Sequence, residues 1–220
     1  MNYTSLFIDL DDTVYNSSNG LWAAIRQRMS DYMQALLKLP AEDVAILRRH
    51  YYETYGTTLR GLQIHHQIDS DEYLAYVHDL PLEEYLQPDP ELRALLLSLP
   101  QHKYIFTNAD AQHALRTLDR LAIRDCFTSI IDVRAIEFHC KPEPEAYYLA
   151  MQIAGESDPE KCVFFDDSPR NLGEADRLGF YTVLVGKNGP EASARVTMST
   201  LKDIPDALPA LWGQQAGSPD

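Results

Sequence analysis

The chain has 220 residues, 45% of them apolar and 24% charged, which suits one core domain with at most one insertion and excludes disorder as its main state. Its 19 basic and 33 acidic residues give a net charge of −14, which excludes a broad basic face for a nucleic-acid polymer and a general attraction to anionic membrane. No run approaches the roughly 18 apolar residues that span a bilayer, and no basic block followed by an apolar signal region opens the chain. Cys126, Cys140 and Cys162 are odd in number and lack metal-site spacing, so reduced thiols in the cytoplasm are expected.

Residues 3–9 (YTSLFID) predict a short strand that ends in carboxylates. Residues 21–86 hold no convincing strand. Leu21, Ile25, Met29, Met33 and Leu37 recur every four positions, with Leu36 widening the stripe, which predicts a helix that buries this face. Pro40-Ala41-Glu42 starts a second helix running to Tyr55. Asp69-Ser70-Asp71-Glu72 and Pro81-Leu82-Glu83-Glu84 read as further acidic helix starts. Gln87-Pro88-Asp89-Pro90 then carries the chain back. Helices at 90–98, 111–121, 144–154 and 171–178 alternate with apolar runs at 103–107 (KYIFT), 128–132 (TSIID), 162–166 (CVFFD) and 181–185 (YTVLV). Short, continuously apolar runs suit strands covered on both faces, and the alternation implies an α/β fold with a parallel sheet. Residues 1–15 with 87–212 are expected to form the core, 16–86 a helical insertion and 213–220 a flexible tail.

Asp9-Leu10-Asp11-Asp12-Thr13 closes the first strand. It is no EF-hand loop, because Thr13 and Val14 stand where that loop needs an oxygen ligand and a glycine. The chain has no phosphate-binding glycine loop, no G-x-S-x-G elbow and no H-E-x-x-H. A second pair, Asp166-Asp167, ends another predicted strand. Two acidic pairs at one sheet edge repel unless a hard cation lies between them, and oxygen-only ligands favour Mg²⁺. Thr107-Asn108 ends a third strand, and Lys141 precedes a helix start in Cys140-Lys141-Pro142-Glu143-Pro144. All fall at strand C-termini, the edge where open α/β sheets bind ligands. Singly, Thr107 suits a structural role and Lys141 a solvated surface. The ordered set D-x-D-x-T, T-N, K-P, D-D-S is far more specific.

This set resembles the haloacid dehalogenase superfamily of aspartate-nucleophile phosphohydrolases. The resemblance implies a doubly wound core of strand order 5-4-1-2-3 with an α-helical cap inserted after the first motif. FIDLDDTVY, FTNADAQHA and FFDDSPRN, together with Tyr51-Tyr52-Glu53-Thr54-Tyr55-Gly56 and Leu59-Arg60-Gly61-Leu62, are similar to the pyrimidine 5′-nucleotidase branch. By that resemblance Asp9 is the nucleophile that becomes an aspartyl-phosphate. Asp11 protonates the leaving alcohol and then takes a proton from the hydrolytic water. Mg²⁺ would be held by Asp9, the Asp11 backbone carbonyl and Asp167, with Asp166 a ligand directly or through water. Thr107, Asn108 and Lys141 would bind the phosphoryl group. Asn171 stands where many relatives place an acidic residue, and its amide could orient a water on the metal.

The expected activity is Mg²⁺-dependent hydrolysis of a small phosphomonoester, a pyrimidine nucleoside 5′-monophosphate first. The alternatives are another small phosphate such as a sugar phosphate or pyridoxal phosphate, a phosphotransferase or phosphomutase, and a catalytically silent phosphate-binding protein. A phosphoacceptor receiver domain has no second acidic pair after its lysine and is shorter than this chain. A true dehalogenase has little use for Asp11 with Asp166 and Asp167. Substrate choice falls to the cap, where Tyr55 and Arg60 are the candidates. Tyr51, Tyr52 and Tyr55 could stack on a base, although at least two are expected in the core, and Arg60 equally suits a surface ion pair. His65-His66 lacks the spacing of a zinc site, and Cys140 reads as a packed cysteine.

Overall fold

A computed structural model describes residues 3–186 and 194–213; the expected flexible tail beyond Gly213 lies outside the described residues. In chain order the elements are β1 (Ser5–Ile8), α1 (Leu21–Leu37), α2 (Ala41–Tyr55), α3 (Thr58–His66), α4 (Ser70–His78) and α5 (Pro90–Ser98). They continue with β2 (His102–Phe106), α6 (Ala111–Leu121), β3 (Ser129–Ile131), α7 (Pro144–Ala154), β4 (Cys162–Asp166), α8 (Pro169–Leu178), β5 (Tyr181–Val185), β6 (Val196–Met198) and α9 (Ile204–Ala207). Among the described residues, no helix is long and apolar enough to cross a membrane.

The strands form one sheet of order β3-β2-β1-β4-β5-β6, parallel throughout. The expected five-strand order is present, with β6 added at one edge. Three residues of mixed polarity give no sequence signal for that strand. β1 is continuously apolar because its alternate side chains serve two cores. Leu6 and Ile8 join Ile105, Val163, Phe165 and Val183 on one face, under α5 and α6. Phe7 joins Tyr104, Phe106 and Phe164 on the other, under α7 and α8. β1 is also the strand from which the order runs both ways, so a crevice opens beyond its C-terminus.

The helices follow their local signals. Pro90 and Pro144 open α5 and α7 at the expected residues, while Pro169 opens α8 two residues earlier than the apolar pattern does. The α1 stripe buries Leu21, Ile25 and Met33, but Leu36 is 41% exposed and does not widen it. The acidic start at Pro81 yields only a 3-10 turn, Leu82–Glu84.

Helices α1–α4 enclose a third core of Met33, Val44, Tyr51, Leu59, Leu62, Tyr73, Leu74 and Val77, which also takes in Val133 and Cys140. Gly61 lies against Tyr51 so tightly that a Cβ would sit 2.2 Å from the ring, which lets α2 and α3 close on each other. Arginines of the sheet-flanking helices secure this insertion. Arg170 of α8 donates to the carbonyls of Tyr52 and Glu53, each at 3.0 Å. Arg116 of α6 donates to those of His78 and Leu80, at 3.0 and 2.6 Å, and Arg120 to that of Leu86 at 2.9 Å.

Candidate active site

Three strands deliver polar groups to one edge because their ladders run in register to the end. The Asp9 N–H donates to the Phe165 carbonyl, and the Thr107 N–H to that of Ile131. Asp9 and Thr107 therefore sit one residue beyond β1 and β2, and Asp166 is the last residue of β4. Asp9 is 8% exposed, Thr107 2%, and Asp166 not at all.

Lys141 is 1% exposed, which corrects the solvated-surface alternative. Its Nζ donates to Asp9 Oδ1 at 2.7 Å, Asp166 Oδ2 at 2.8 Å and the Phe106 carbonyl at 2.7 Å. An ammonium has three donors, so this geometry uses them all. Burial alone would lower the Lys141 pKa, but the Asp166 and Asp9 carboxylates outweigh it and hold the group above its ordinary value. Asn108 fixes the lysine from behind: Oδ1 accepts from the Lys141 N–H at 2.9 Å and Nδ2 donates to its carbonyl at 3.1 Å. The Thr107 hydroxyl accepts from the Ala109 N–H at 3.0 Å. Asn108 thus acts on the Lys141 backbone through both ends of its amide.

Asp166 and Asp167 part ways. Asp166 Oδ1 accepts from the Ser168 N–H and Asn171 Nδ2, and Oδ2 from Lys141 and the same Asn171 nitrogen. With both oxygens occupied, Asp166 orients Lys141, and Asn171 is committed to Asp166. Burial, reinforced by Asp166, Asp9 and Asp12, pushes the Asp167 carboxyl up to about 9. Burial likewise pushes Asp9 up to about 7, against the pull of Lys141. Burial is the main cause of both shifts and the neighbouring carboxylates add to it, so the one ammonium does not offset them. A hard divalent cation is a group this donor set fits, and Asp9 and Asp167 are the side chains that could hold it.

Asp11 faces elsewhere. Its Oδ1 accepts from His113 Nε2 at 2.9 Å and from the Tyr15 hydroxyl, so its side chain is held by α6 and by its own loop. Burial would raise its pKa, but His113, then His78 and Tyr15, outweigh that and keep it below the usual carboxylate value. Asp12 follows at φ 66°, a left-handed turn that an aspartate tolerates. Tyr15 and His113 lie inside the runs FIDLDDTVY and FTNADAQHA that carry the resemblance, but nothing in those runs assigns either residue a role toward Asp11.

The α2–α3 turn meets this edge directly. Gly56, at φ 83°, would place a Cβ 2.8 Å from the Lys141 carbonyl, so only glycine fits there. Thr57 Oγ1 lies 3.4 Å from Cys140 Sγ, and burial pushes that thiol up to about 11, which makes Cys140 a packed residue. Tyr51 is core at 4% exposure, Tyr55 packs at its margin and Tyr52 is 44% exposed. Tyr55 shares a hydrogen bond with His65 Nε2 at 2.7 Å, and Tyr51 one with His66 Nε2 at 2.8 Å. Arg60 reaches Gln63 at 3.5 Å, its N–H capped by Thr57. The described contacts do not bring Tyr55 or Arg60 to Asp9.

A family model described as haloacid dehalogenase-like hydrolase matches residues 3–179. Phosphate metabolism protein 8 of Saccharomyces cerevisiae is 33% identical over 192 residues, 81% of this chain; the chain spans 60% of that relative's length. Among solved structures, an HAD phosphatase from Thermococcus onnurineus superposes with a TM-score of 0.62 at 20% identity, covering 93% of this chain and 96% of that one. An HAD-hydrolase from Bacillus subtilis, bound to magnesium, gives 0.61 at 15%, covering 94% and 98%. The L-2-haloacid dehalogenase of Xanthobacter autotrophicus gives 0.57 at 19%, covering 94% and 98%. At these identities the structural likeness is one of fold.

Proposed function

The chain belongs to the haloacid dehalogenase-like hydrolases, and on that footing we propose that it is a Mg²⁺-dependent phosphomonoesterase working through an aspartyl-phosphate on Asp9. One observation carries this reading: buried Lys141 bridges Asp9 and Asp166 while the neighbouring Asp167 stays crowded by carboxylates. Mg²⁺, held by Asp9, Asp167 and the Asp11 backbone carbonyl, would offset phosphoryl charge so that a carboxylate and a phosphate dianion can approach.

The remaining work falls to the chain itself. Lys141 holds Asp9 by Oδ1, which fixes the carboxylate for in-line attack on phosphorus. Lys141, with its three donors committed to Asp9, Asp166 and the Phe106 carbonyl, offsets the phosphoryl charge as a fixed cation. The Thr107 hydroxyl meets a phosphoryl oxygen, while Asn108 keeps the Lys141 backbone in place. Asp11 gives a proton to the departing alcohol and recovers one from the water that opens the acyl-phosphate. Asp166, itself held by Asn171, positions the lysine and does no chemistry. The three cysteines are free thiols, which suits a reducing compartment such as the cytoplasm.

For the substrate we infer a pyrimidine nucleoside 5′-monophosphate. The YYETYG and LRGL segments support this by their resemblance, and the turn between them, Gly56-Thr57, sits against Lys141 and Cys140. The test is phosphate release from UMP, CMP, AMP, GMP, pyridoxal phosphate and sugar phosphates at equal Mg²⁺. Wild type is expected to favour UMP and CMP by roughly 10–200-fold in kcat/KM over the purine nucleotides. Chelation of Mg²⁺ or Asp9→Asn is expected to bring release to background. Near-normal turnover by Asp9→Asn rejects the nucleophile, and a non-nucleotide winner rejects the substrate class alone.

A further inference from the structure

Two histidines lie behind Asp11 in an arrangement that the steps above leave unused. His113 donates from Nε2 to Asp11 Oδ1 at 2.9 Å, and its side chain is wholly buried. Its Nδ1 has no hydrogen-bond partner among the described residues. Because a carboxylate oxygen only accepts, Nε2 is the ring nitrogen that donates to Asp11. Tyr15 donates its hydroxyl to the same Asp11 oxygen. Among the described residues, Asp11 Oδ2 accepts no hydrogen bond.

The His113 ring is itself clamped. His78, the last residue of α4, stacks on it with centroids 4.2 Å apart and planes 12° apart. His78 donates from Nδ1 to Asp110 Oδ2 at 2.6 Å. Asp110 Oδ1 accepts the N–H groups of Gln112 and His113 and so caps α6, the helix that carries His113. One carboxylate thus sets both the helix start and the ring that stacks on His113. The stacking ring comes from the insertion, and its partner from the sheet-flanking layer.

We propose that His113, clamped by His78 and assisted by Tyr15, is the positioning residue that turns Asp11 Oδ2 toward the leaving-group oxygen. This rests on the phosphomonoesterase reading. The phosphate dianion of a bound substrate favours the protonated form of Asp11 against the pull of His113 and Tyr15. When the P–O bond breaks, its electron pair goes to the leaving oxygen, which takes that proton. The resulting carboxylate is received by the His113 N–H and the Tyr15 hydroxyl, both of which keep their protons. A misdirected Asp11 would still permit departure of a leaving group that needs no proton.

That asymmetry gives the experiment. Phenyl phosphate and 4-nitrophenyl phosphate are close in shape, but nitrophenolate departs readily without protonation. His113→Leu is expected to lower kcat/KM for phenyl phosphate on the order of 10–100-fold, a share of what a general acid supplies, and for the nitrophenyl ester less than about threefold. His113→Gln, which keeps an N–H near the place of Nε2, should recover most of the loss. His78→Leu should move the ratio between the esters the same way by less, and it decides the matter if His113→Leu does not fold. Equal proportional losses on both esters, at an unchanged melting temperature, overturn the positioning role and leave the phosphatase reading standing. Inactivity of the wild type on both esters with Mg²⁺ removes that reading, and this inference with it.

Discussion

Lys141 draws its partners from three strands, whereas Tyr51, Tyr55, His65 and His66 draw theirs from two adjacent helices. The first cluster is buried and its charges are mutually dependent. The second is mostly at the surface, with His65 and His66 exposed, and its hydrogen bonds replace others that water could make. On the phosphomonoesterase reading, phosphate is the same in every substrate, so the group proposed to receive it can be rigid. The exposed cluster can change without disturbing the charges beneath.

The contrast is sharpest in stability. Lys141→Met should cost about 3–5 kcal/mol in urea unfolding, because it strands two buried carboxylates, and activity should vanish with it. A loss below about 1 kcal/mol would mean that the cluster is as loosely coupled as the surface one.

Asp110 tests whether the contacts beneath the insertion share that dependence on charge. Burial would raise its pKa, but the His78 hydrogen bond and the N–H groups of α6 bring it down to about 2, from an ordinary 3.8. A depressed carboxylate stabilises the fold above its unfolded pKa and loses that contribution as pH falls through its folded one. Asp110→Asn is therefore expected to cost about 2 kcal/mol at pH 7, with the gap to wild type narrowing below pH 4. His78, lowered below 6.5 chiefly by burial, adds to the same acid sensitivity from about pH 6.5 downward. A gap that stays constant from pH 7 to pH 2.5 would remove the ionic part of this contact.

Gly56→Ala probes the seam between the two clusters. The added Cβ meets the Lys141 carbonyl and a strained φ, so a destabilisation of about 1–3 kcal/mol is expected. KM should rise more than kcat falls. At the small end, Arg60→Ala and Tyr55→Phe should stay within about 0.5 kcal/mol of wild type in stability. They should alter the UMP-to-AMP ratio more than activity on 4-nitrophenyl phosphate. Equal loss on all substrates would assign both residues to holding the insertion together.

Much of the first cluster can be read from the chain because each member ends an apolar strand or precedes a proline-led helix. Asp9, Thr107, Asp166 and Lys141 advertise themselves by punctuation. Their division of labour does not show. Nothing in Asp166-Asp167 says that the first aspartate turns to Lys141 and Asn171, since adjacent residues at a strand end point apart only once the sheet exists. His78 and His113 are 35 positions apart, and Tyr15 is nearly a hundred from His113, so only tertiary folding brings them together. The helical stripe of α1 was legible to one position, Leu36, because periodicity cannot tell the margin of a buried face from its centre.

The arginine contacts described for the insertion have an evolutionary corollary. Arg170, Arg116 and Arg120 grip Tyr52, Glu53, His78, Leu80 and Leu86 by their backbone oxygens, which every amino acid possesses. Mutations that rewrite those side chains leave these anchors intact. A lineage can thus diversify what its outer helices recognise while inheriting the same attachment, and selectivity can drift faster than architecture.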